Sequence, residues 1–237
     1  MTCAVVFGAG GGVGGALVDR LAACGRYTQI HAGSRRPLPP RPHRIPFLYD
    51  LTDEGSIIDA CSILETPPDL VLVASGLLHD QSGAVMPEKT LRAIQREAMA
   101  RMFAVNTIGP ALIAKHCLPR LPKDRRAVFA VLSARVGSIG DNRLGGWHGY
   151  RASKAALNML IANFAIEMRR THPLAVIVAL HPGTVATGLS RPFQSGVAAG
   201  QLFSPETSAA HLLDVIDRLA PEDSGGFFAW DGARIPW

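Results

Sequence analysis

The sequence predicts an α/β fold, a doubly wound parallel β-sheet with helices on both faces, from three observations. Short apolar runs of strand character (Ala4–Phe7, Leu70–Ala74, Ala127–Leu132, Ala175–Leu180) alternate with helical stretches (Gly14–Ala23, Thr90–Ala104, Gly109–Leu118, Tyr150–Arg169, Pro205–Leu219). That order is the pattern of parallel strands joined by right-handed helical crossovers. A glycine-rich turn follows the first run at once. The chain of 237 residues, 48% hydrophobic, carries no internal repeat or linker and is long enough to bury a substantial core. One domain over residues 1–237 is expected, with ligands at the carboxyl ends of its strands.

The first element, Cys3-Ala4-Val5-Val6-Phe7, runs into Gly8-Ala9-Gly10-Gly11-Gly12-Val13-Gly14-Gly15 and then into a helix with Leu17 and Leu21 on one face and a stop at Gly25. Glycines at such a turn let backbone amides approach a pyrophosphate, and the helix N-terminus adds free N–H groups and partial positive charge. Gly8, Gly10, Gly11, Gly12, Val13 and Gly14 are therefore candidate cofactor-binding residues. Two glycine registers fit, Gly8-x-x-x-Gly12-x-Gly14 and Gly10-x-Gly12-x-x-Gly15, and the first is preferred because it starts where the strand ends. The second strand should end within Gln29-Ile30-His31-Ala32-Gly33-Ser34. An acid there would bind a ribose 2′-hydroxyl; Ser34, Arg35 and Arg36 stand there instead. Guanidinium groups suit a 2′-phosphate, so NADP(H) is expected over NAD(H).

Tyr150 and Lys154 lie four apart in Gly149-Tyr150-Arg151-Ala152-Ser153-Lys154-Ala155, within an Ala/Leu/Met-rich helical stretch. That spacing puts both on one helix face, about 6 Å apart along the axis. A nearby ammonium favours the phenolate and lowers a Tyr pKa, which makes the phenol usable as a general acid or base.

Together these motifs resemble the short-chain dehydrogenase/reductase family, whose fold is of the Rossmann type. The resemblance extends through Asp50-Leu51-Thr52, Val73-Ala74-Ser75-Gly76, Val105-Asn106-Thr107 and His181-Pro182-Gly183-Thr184-Val185-Ala186-Thr187. The segments Ser133–Trp147 and Trp230–Trp237 are similar to the C-factor-like branch. The resemblance implies that Asp50 and Leu51 border the adenine and that Ala74, Ser75 and Gly76 line the cofactor through their backbone. It implies that Pro182, Gly183, Val185 and Thr187 flank the nicotinamide, that Lys154 also bonds its ribose, and that Asn106 positions a relay water. Tyr150 would give its proton to the carbonyl oxygen, and a serine would share that oxygen. Counting from the strand selects Ser133, whereas counting back from Gly137 selects Ala134. Assigning the extra residues to the loop Gly137–His148 favours Ser133, with Ser138 in reserve. His148, Trp147 and Phe193 are candidate substrate walls, and residues 188–203 a substrate lid.

The four cysteines lack paired or metal-ligand spacing and read as buried thiols, and the eight histidines show no metal pattern. The net charge of +5 is concentrated in Arg35–Arg44, a proline-stiffened run without the aromatic interleaving of a nucleic-acid surface. No apolar run reaches membrane-spanning length, so a cytoplasmic protein is expected, without nucleic-acid or membrane partners. The sequence therefore reads as an NADP(H)-dependent oxidoreductase acting on a small carbonyl/alcohol pair, assembled as a homodimer or homotetramer. A non-catalytic NADP(H)-binding signalling protein is the alternative; a methyltransferase would want an acid after the second strand and leaves Tyr150 and Lys154 unexplained.

Overall fold

The computed structural model describes residues 2–39, 41–198 and 200–237. Nine strands are present among them: β1 (Cys3–Phe7), β2 (Gln29–Ser34), β3 (Arg44–Leu48), β4 (Leu70–Val73), β5 (Ala127–Leu132), β6 (Ala175–His181), β7 (Thr184–Val185), β8 (Leu202–Phe203) and β9 (Phe227–Ala229). Seven form one parallel sheet in the order β3-β2-β1-β4-β5-β6-β9. The order reverses between β1 and β4, and that is where a doubly wound sheet opens a crevice for ligands. The helices are α1 (Gly12–Cys24), α2 (Glu54–Ser62), α3 (Arg96–Phe103), α4 (Gly109–Cys117), α5 (His148–Met168) and α6 (Pro205–Arg218).

Strand parity divides the core between two faces. Cys3, Val5 and Phe7 of β1, with Phe129 and Val131 of β5, pack against α2, α4 and α5. Their alternates Ala4, Val6, Val128 and Ala130 pack against α1 and α6. Both faces are covered, which is why these strands read as continuous apolar runs rather than alternating ones.

Some elements differ from expectation. The helix expected over Thr90–Ala104 starts only at Arg96: Thr90 makes no side-chain cap, Leu91–Ala93 form a single 3-10 turn, and Gln95 is extended. Leu91 is exposed and no residue before Ala98 is buried, so packing offers nothing to hold an earlier start. Ala104–Ile108 form a π-helical turn joining α3 to α4. Sequence reading missed β3, α2 and β9; β3 contains Pro46 and sits at the sheet edge, where a missing N–H is tolerated. Of the cysteines expected to be buried, Cys24 is exposed. Strands β7 and β8 pair with each other, and the chain between them includes the 3-10 turn Arg191–Gly196. No helix among the described residues is long and apolar enough to cross a membrane.

The turn between β1 and α1 imposes the tightest steric demand. Gly8 has φ +94°, and a methyl group there would lie 2.9 Å from the backbone of Ala74 and Ser75. A methyl at Gly14 would run into the Gly8 carbonyl. Gly14→Ala is therefore expected to lose ~1–3 kcal/mol by overpacking. Gly196→Ala, where the space is open, should change stability by no more than ~0.5 kcal/mol. Urea unfolding of the two variants beside wild type checks this.

Candidate active site

The β1–α1 turn has the shape and polarity of an anion cradle. Helix α1 begins without a side-chain cap and without an acid in its first turn, and Gly10, Gly11 and Gly12 are exposed. Its first N–H groups are thus open donors at the positive end of the helix. The glycines that sterics require, Gly8 and Gly14, are the two ends of the register that starts at Gly8. Half-buried Val13 packs on the α1/α6 side of the sheet.

Strand β2 ends beside this turn: the Gly33 carbonyl accepts from Gly8 and Ala9 N–H at 3.0 and 2.8 Å. Ser34 is buried and its hydroxyl donates to the Arg36 carbonyl, which fixes the bend that follows. The basic stretch then divides. Arg44 and Arg41 turn back to Asp19 on α1, at 2.8 and 3.5 Å. Arg35 and Arg36 remain exposed, and neither is in an ion pair among the described residues. The cradle fits a dinucleotide, and two uncommitted guanidinium groups stand at the end of β2 beside it.

The remaining residues expected on the cofactor side are held as follows. Asp50 Oδ1 accepts from the Thr52 N–H and hydroxyl at 2.8 and 2.7 Å, and these bonds hold its pKa below the usual carboxylate range. Leu51 is buried against Gly109. Ala74 N–H bonds the Phe7 carbonyl, Ser75 Oγ lies 2.8 Å from the Tyr49 hydroxyl, and Gly76 faces Asn106 and Lys154. On the other side Thr187 reaches the start of α1, its methyl 2.7 Å from where a side chain on Gly12 would begin. Pro182 is held by Ser208 through its carbonyl, Gly183 turns the chain at φ +78°, and Val185 is buried.

Helix α5 carries Tyr150 and Lys154, and several ties set its position. Asn106 and Thr107 of the π-helical turn bond Ser153, through its hydroxyl at 3.1 Å and its carbonyl at 2.7 Å. Gly137 lets the loop after β5 press onto α5, since a methyl there would lie 2.7 Å from Lys154 Cβ. Glu88, a buried carboxylate that sequence reading missed, accepts from the Gly149 N–H at 3.1 Å. It caps the positive end of α5 one residue before Tyr150. No local signal marks it, because its partner lies 61 residues away.

Tyr150 and Lys154 are 6% and 3% exposed. The Lys154 ammonium donates to the Leu132 carbonyl at 2.9 Å. Burial pushes the Tyr150 phenol up to about 12 and the Lys154 ammonium down to about 8. This corrects the expectation that Lys154 lowers the Tyr150 pKa: in the protein alone, loss of hydration is the force acting on both groups, and it favours both neutral forms. Asn106 is also more constrained than expected. Its amide donates to Leu77 O and Ser153 Oγ, and its carbonyl oxygen accepts from Leu77 N–H at 2.7 Å. Both amide donors are occupied, so a water beside Asn106 has only acceptors to meet there.

Ser133 is not turned toward Tyr150. It continues the parity of Phe129 and Val131 into the α5 side of the core, where its hydroxyl donates to Asn158 Oδ1 at 2.7 Å. Ala134 packs against the cluster that contains Tyr150, Leu78, Val85, Ala98 and Met102. Ser138 bonds the Pro236 carbonyl near the end of the chain. The wall over Tyr150 is aromatic: Trp147, in a left-handed conformation at φ 51°, lies 5.0 Å from Phe193 and 6.2 Å from Tyr150 between ring centres. His79 meets Phe193 at 5.8 Å and the Gly188 carbonyl at 3.0 Å. His148 is half-buried at the first position of α5, with no hydrogen bond from its ring among the described residues. No group of His, Cys, Asp and Glu among the described residues could hold a metal ion.

A cradle at the reversal of a doubly wound sheet, with a buried tyrosine and lysine beside it, defines a dinucleotide-dependent oxidoreductase. Residues 2–198 match the short chain dehydrogenase family, and the chain belongs to that family as an NAD(P)-dependent enzyme. It is 38% identical over 139 residues to the C-signal protein of Myxococcus xanthus, covering 59% of this chain and 78% of that one, which places it on the C-factor-like branch. It is 36% identical over 145 residues to 1-hydroxy-2-glutathionyl-2-methyl-3-butene dehydrogenase of Rhodococcus sp. (strain AD45), covering 61% of each chain. A structure of NADPH-bound carbonyl reductase from chicken fatty liver superposes with a TM-score of 0.85 at 25% identity, covering 100% of this chain and 94% of that one.

The buried lysine has a measurable cost. Its folded pKa, about 8, lies below the ordinary 10.5, so the folded state resists the ammonium. The penalty is complete below pH 8 and fades as pH rises toward 10.5, at about 1.4 kcal/mol for each tenfold. Lys154→Met should stabilise the fold at pH 7 by on the order of 2 kcal/mol, after allowance for the orphaned Leu132 carbonyl. Urea titrations at pH 7 and pH 10 should find the advantage of the variant shrinking at the higher pH.

Proposed function

We propose that this chain is an NADP(H)-dependent carbonyl reductase in which Tyr150 is the general acid. The observation that carries the reading is the placement of buried Tyr150 and Lys154 at the carboxyl ends of β4 and β5, between an open glycine cradle and an apolar aromatic wall. Burial keeps the proton on the Tyr150 phenol and makes it a weaker acid, so the step needs a nearby positive charge to favour the tyrosinate as the carbonyl carbon accepts hydride. Reduced nicotinamide, when bound, supplies that hydride. Lys154 would hold the ribose and, once charged, favour the tyrosinate left behind. The main chain at Asn106 would accept from a water on the path back to solvent. Thr187, Pro182, Gly183 and Val185 would border the nicotinamide, Ala74, Ser75 and Gly76 the rest of the cofactor, and Asp50 and Leu51 the adenine.

Arg35 and Arg36 support NADPH over NADH. The carbonyl reductase from chicken fatty liver, bound to NADPH, supports both the cofactor and the reaction. The segment 188–203 would serve as a lid over the wall formed by Trp147, Phe193 and His148. Free thiols and a soluble cofactor support a cytoplasmic setting. Exposed Met159 and Ile166 on α5 and Ile108 beside α4, each more than half exposed, support self-association through this face as a homodimer or homotetramer.

Tyr150→Phe is expected to lower kcat by ~10²–10⁴ with NADPH affinity nearly unchanged, read from NADPH oxidation against a panel of aldehydes, ketones and diketones. Wild-type turnover by the phenylalanine variant would overturn the mechanism. Arg35→Ala should weaken NADPH binding and leave NADH binding unchanged, narrowing the gap between their dissociation constants; equal constants in the wild type would overturn the cofactor assignment. Light scattering should give about 50 or 100 kDa, two or four times 25.2 kDa, and Met159→Glu/Ile166→Glu should shift it toward the monomer.

A further inference from the structure

The turn that leads into α5 is wound against the preference of ordinary side chains. Gly145, Gly146 and Trp147 have φ of +62°, +65° and 51°, three consecutive residues in the left-handed region. Glycine accepts that conformation freely, whereas a bulky side chain is strained in it. Trp147 nevertheless adopts it, half-buried, with its ring 5.0 Å from Phe193 and 6.2 Å from Tyr150 between centres. Strain of this kind persists only where surrounding contacts impose it. Two residues do so here. Glu88 bonds the main chain on both sides of His148: its carbonyl accepts from the Trp147 N–H, and its carboxylate accepts from the Gly149 N–H at 3.1 and 3.3 Å. Gly149 makes room for that carboxylate, since a methyl there would lie 2.9 Å from Glu88 Oε1. Arg151, half-buried in the first turn of α5, gathers the carbonyls. Its Nε is shared between Gly145 and Gly146 at 3.2 and 3.0 Å, and its Nη1 donates to Val136 at 3.2 Å. Glu88 is 4% exposed and in no ion pair among the described residues. A buried carboxylate without a cation is costly, so charge pairing does not account for it.

We propose that Glu88 and Arg151 are positioning residues that clamp the left-handed turn Gly145–Trp147, and that this clamp sets the Trp147 ring and the start of α5 against Tyr150. Its effect on turnover rests on the reductase reading above, and its effect on Trp147 does not. Neither residue gives or takes a proton in the reaction. Glu88 acts as a hydrogen-bond acceptor rather than as a charge, so an amide oxygen can take the place of its carboxylate. Releasing either residue lets Trp147 relax toward negative φ, carries its ring away from Phe193 and Tyr150, and loosens the helical turn on which Tyr150 stands. A misplacement on the order of 1 Å at reacting groups costs up to ~10² in rate. The glycine cradle lies at the other end of the site, between β1 and α1, and keeps its hold on the cofactor.

The test compares wild type, Glu88→Gln, Glu88→Ala and Arg151→Met in two readouts. One is kcat for the carbonyl that the wild type reduces fastest in the panel above, with the dissociation constant for NADPH beside it. The other is acrylamide quenching of Trp147 fluorescence, taken as the difference between each protein and the same protein carrying Trp147→Phe. Glu88→Ala and Arg151→Met should each lose ~10–10² in kcat at nearly unchanged NADPH affinity, and Trp147 should become more open to acrylamide in both. Glu88→Gln should keep both readouts near those of the wild type. A residue that merely supported the fold would lower Tm and leave kcat of the folded enzyme, and the quenching of Trp147, where they were. The proposal falls if either Glu88→Ala or Arg151→Met keeps wild-type kcat or wild-type quenching, or if Glu88→Gln is as impaired as Glu88→Ala, which would make charge the essential property. Should Glu88→Ala not fold, Arg151→Met decides by the same two readouts. If the wild type reduces no carbonyl, the reductase reading falls and quenching alone decides the clamp.

Discussion

The site depends on how closely helix α5 approaches the carboxyl end of β5. Gly137 permits that approach, and the Lys154 ammonium is committed by it to the Leu132 carbonyl, beneath the crevice where the sheet order reverses. The other ties are consequences of the same docking. Asn158 receives the Ser133 hydroxyl, Ser153 receives Asn106 and Thr107, and Glu88 closes the helix N-terminus. Each joins α5 to a different segment, so the orientation of Tyr150 is fixed from several directions rather than by its own rotamer alone.

That docking has an electrostatic consequence. A phenol and an ammonium removed from water are both driven toward neutrality, and here the drive on each is desolvation rather than their mutual attraction. The pair is less comfortable in the fold than apolar residues of similar size. Buried groups with such shifts are what a catalytic site requires, and this supports the role proposed for Tyr150 and Lys154.

The cofactor side is built on a different principle. Its open donors are backbone N–H groups exposed by the absence of side chains, and the proposed preference for NADPH rests on Arg35 and Arg36, left unpaired at the end of β2. Asp19 contributes indirectly by drawing Arg41 and Arg44 back to α1, which separates them from Arg35 and Arg36. The basic stretch that looks uniform in sequence is thus divided by a single carboxylate.

Sequence by itself determined what is local and periodic. The alternation of apolar runs and helices predicted the doubly wound sheet, the glycine spacing from Gly8 to Gly14 marked the tight β1–α1 turn, and the four-residue spacing of Tyr150 and Lys154 placed both on one helix face. Short or edge elements such as β3 and β9 lacked enough residues to express a period, and the start of α3 was decided by burial rather than propensity. The tertiary structure alone decided which side chains meet across long separations. Glu88 reaches Gly149, Asn106 is saturated by Leu77 and Ser153, and Ser133 faces Asn158 while Ala134 packs against the cluster that contains Tyr150. A count along the chain can place a serine at a strand end, but strand parity and the packing of α5 choose the face its hydroxyl points to, and a shift of one residue reverses that face.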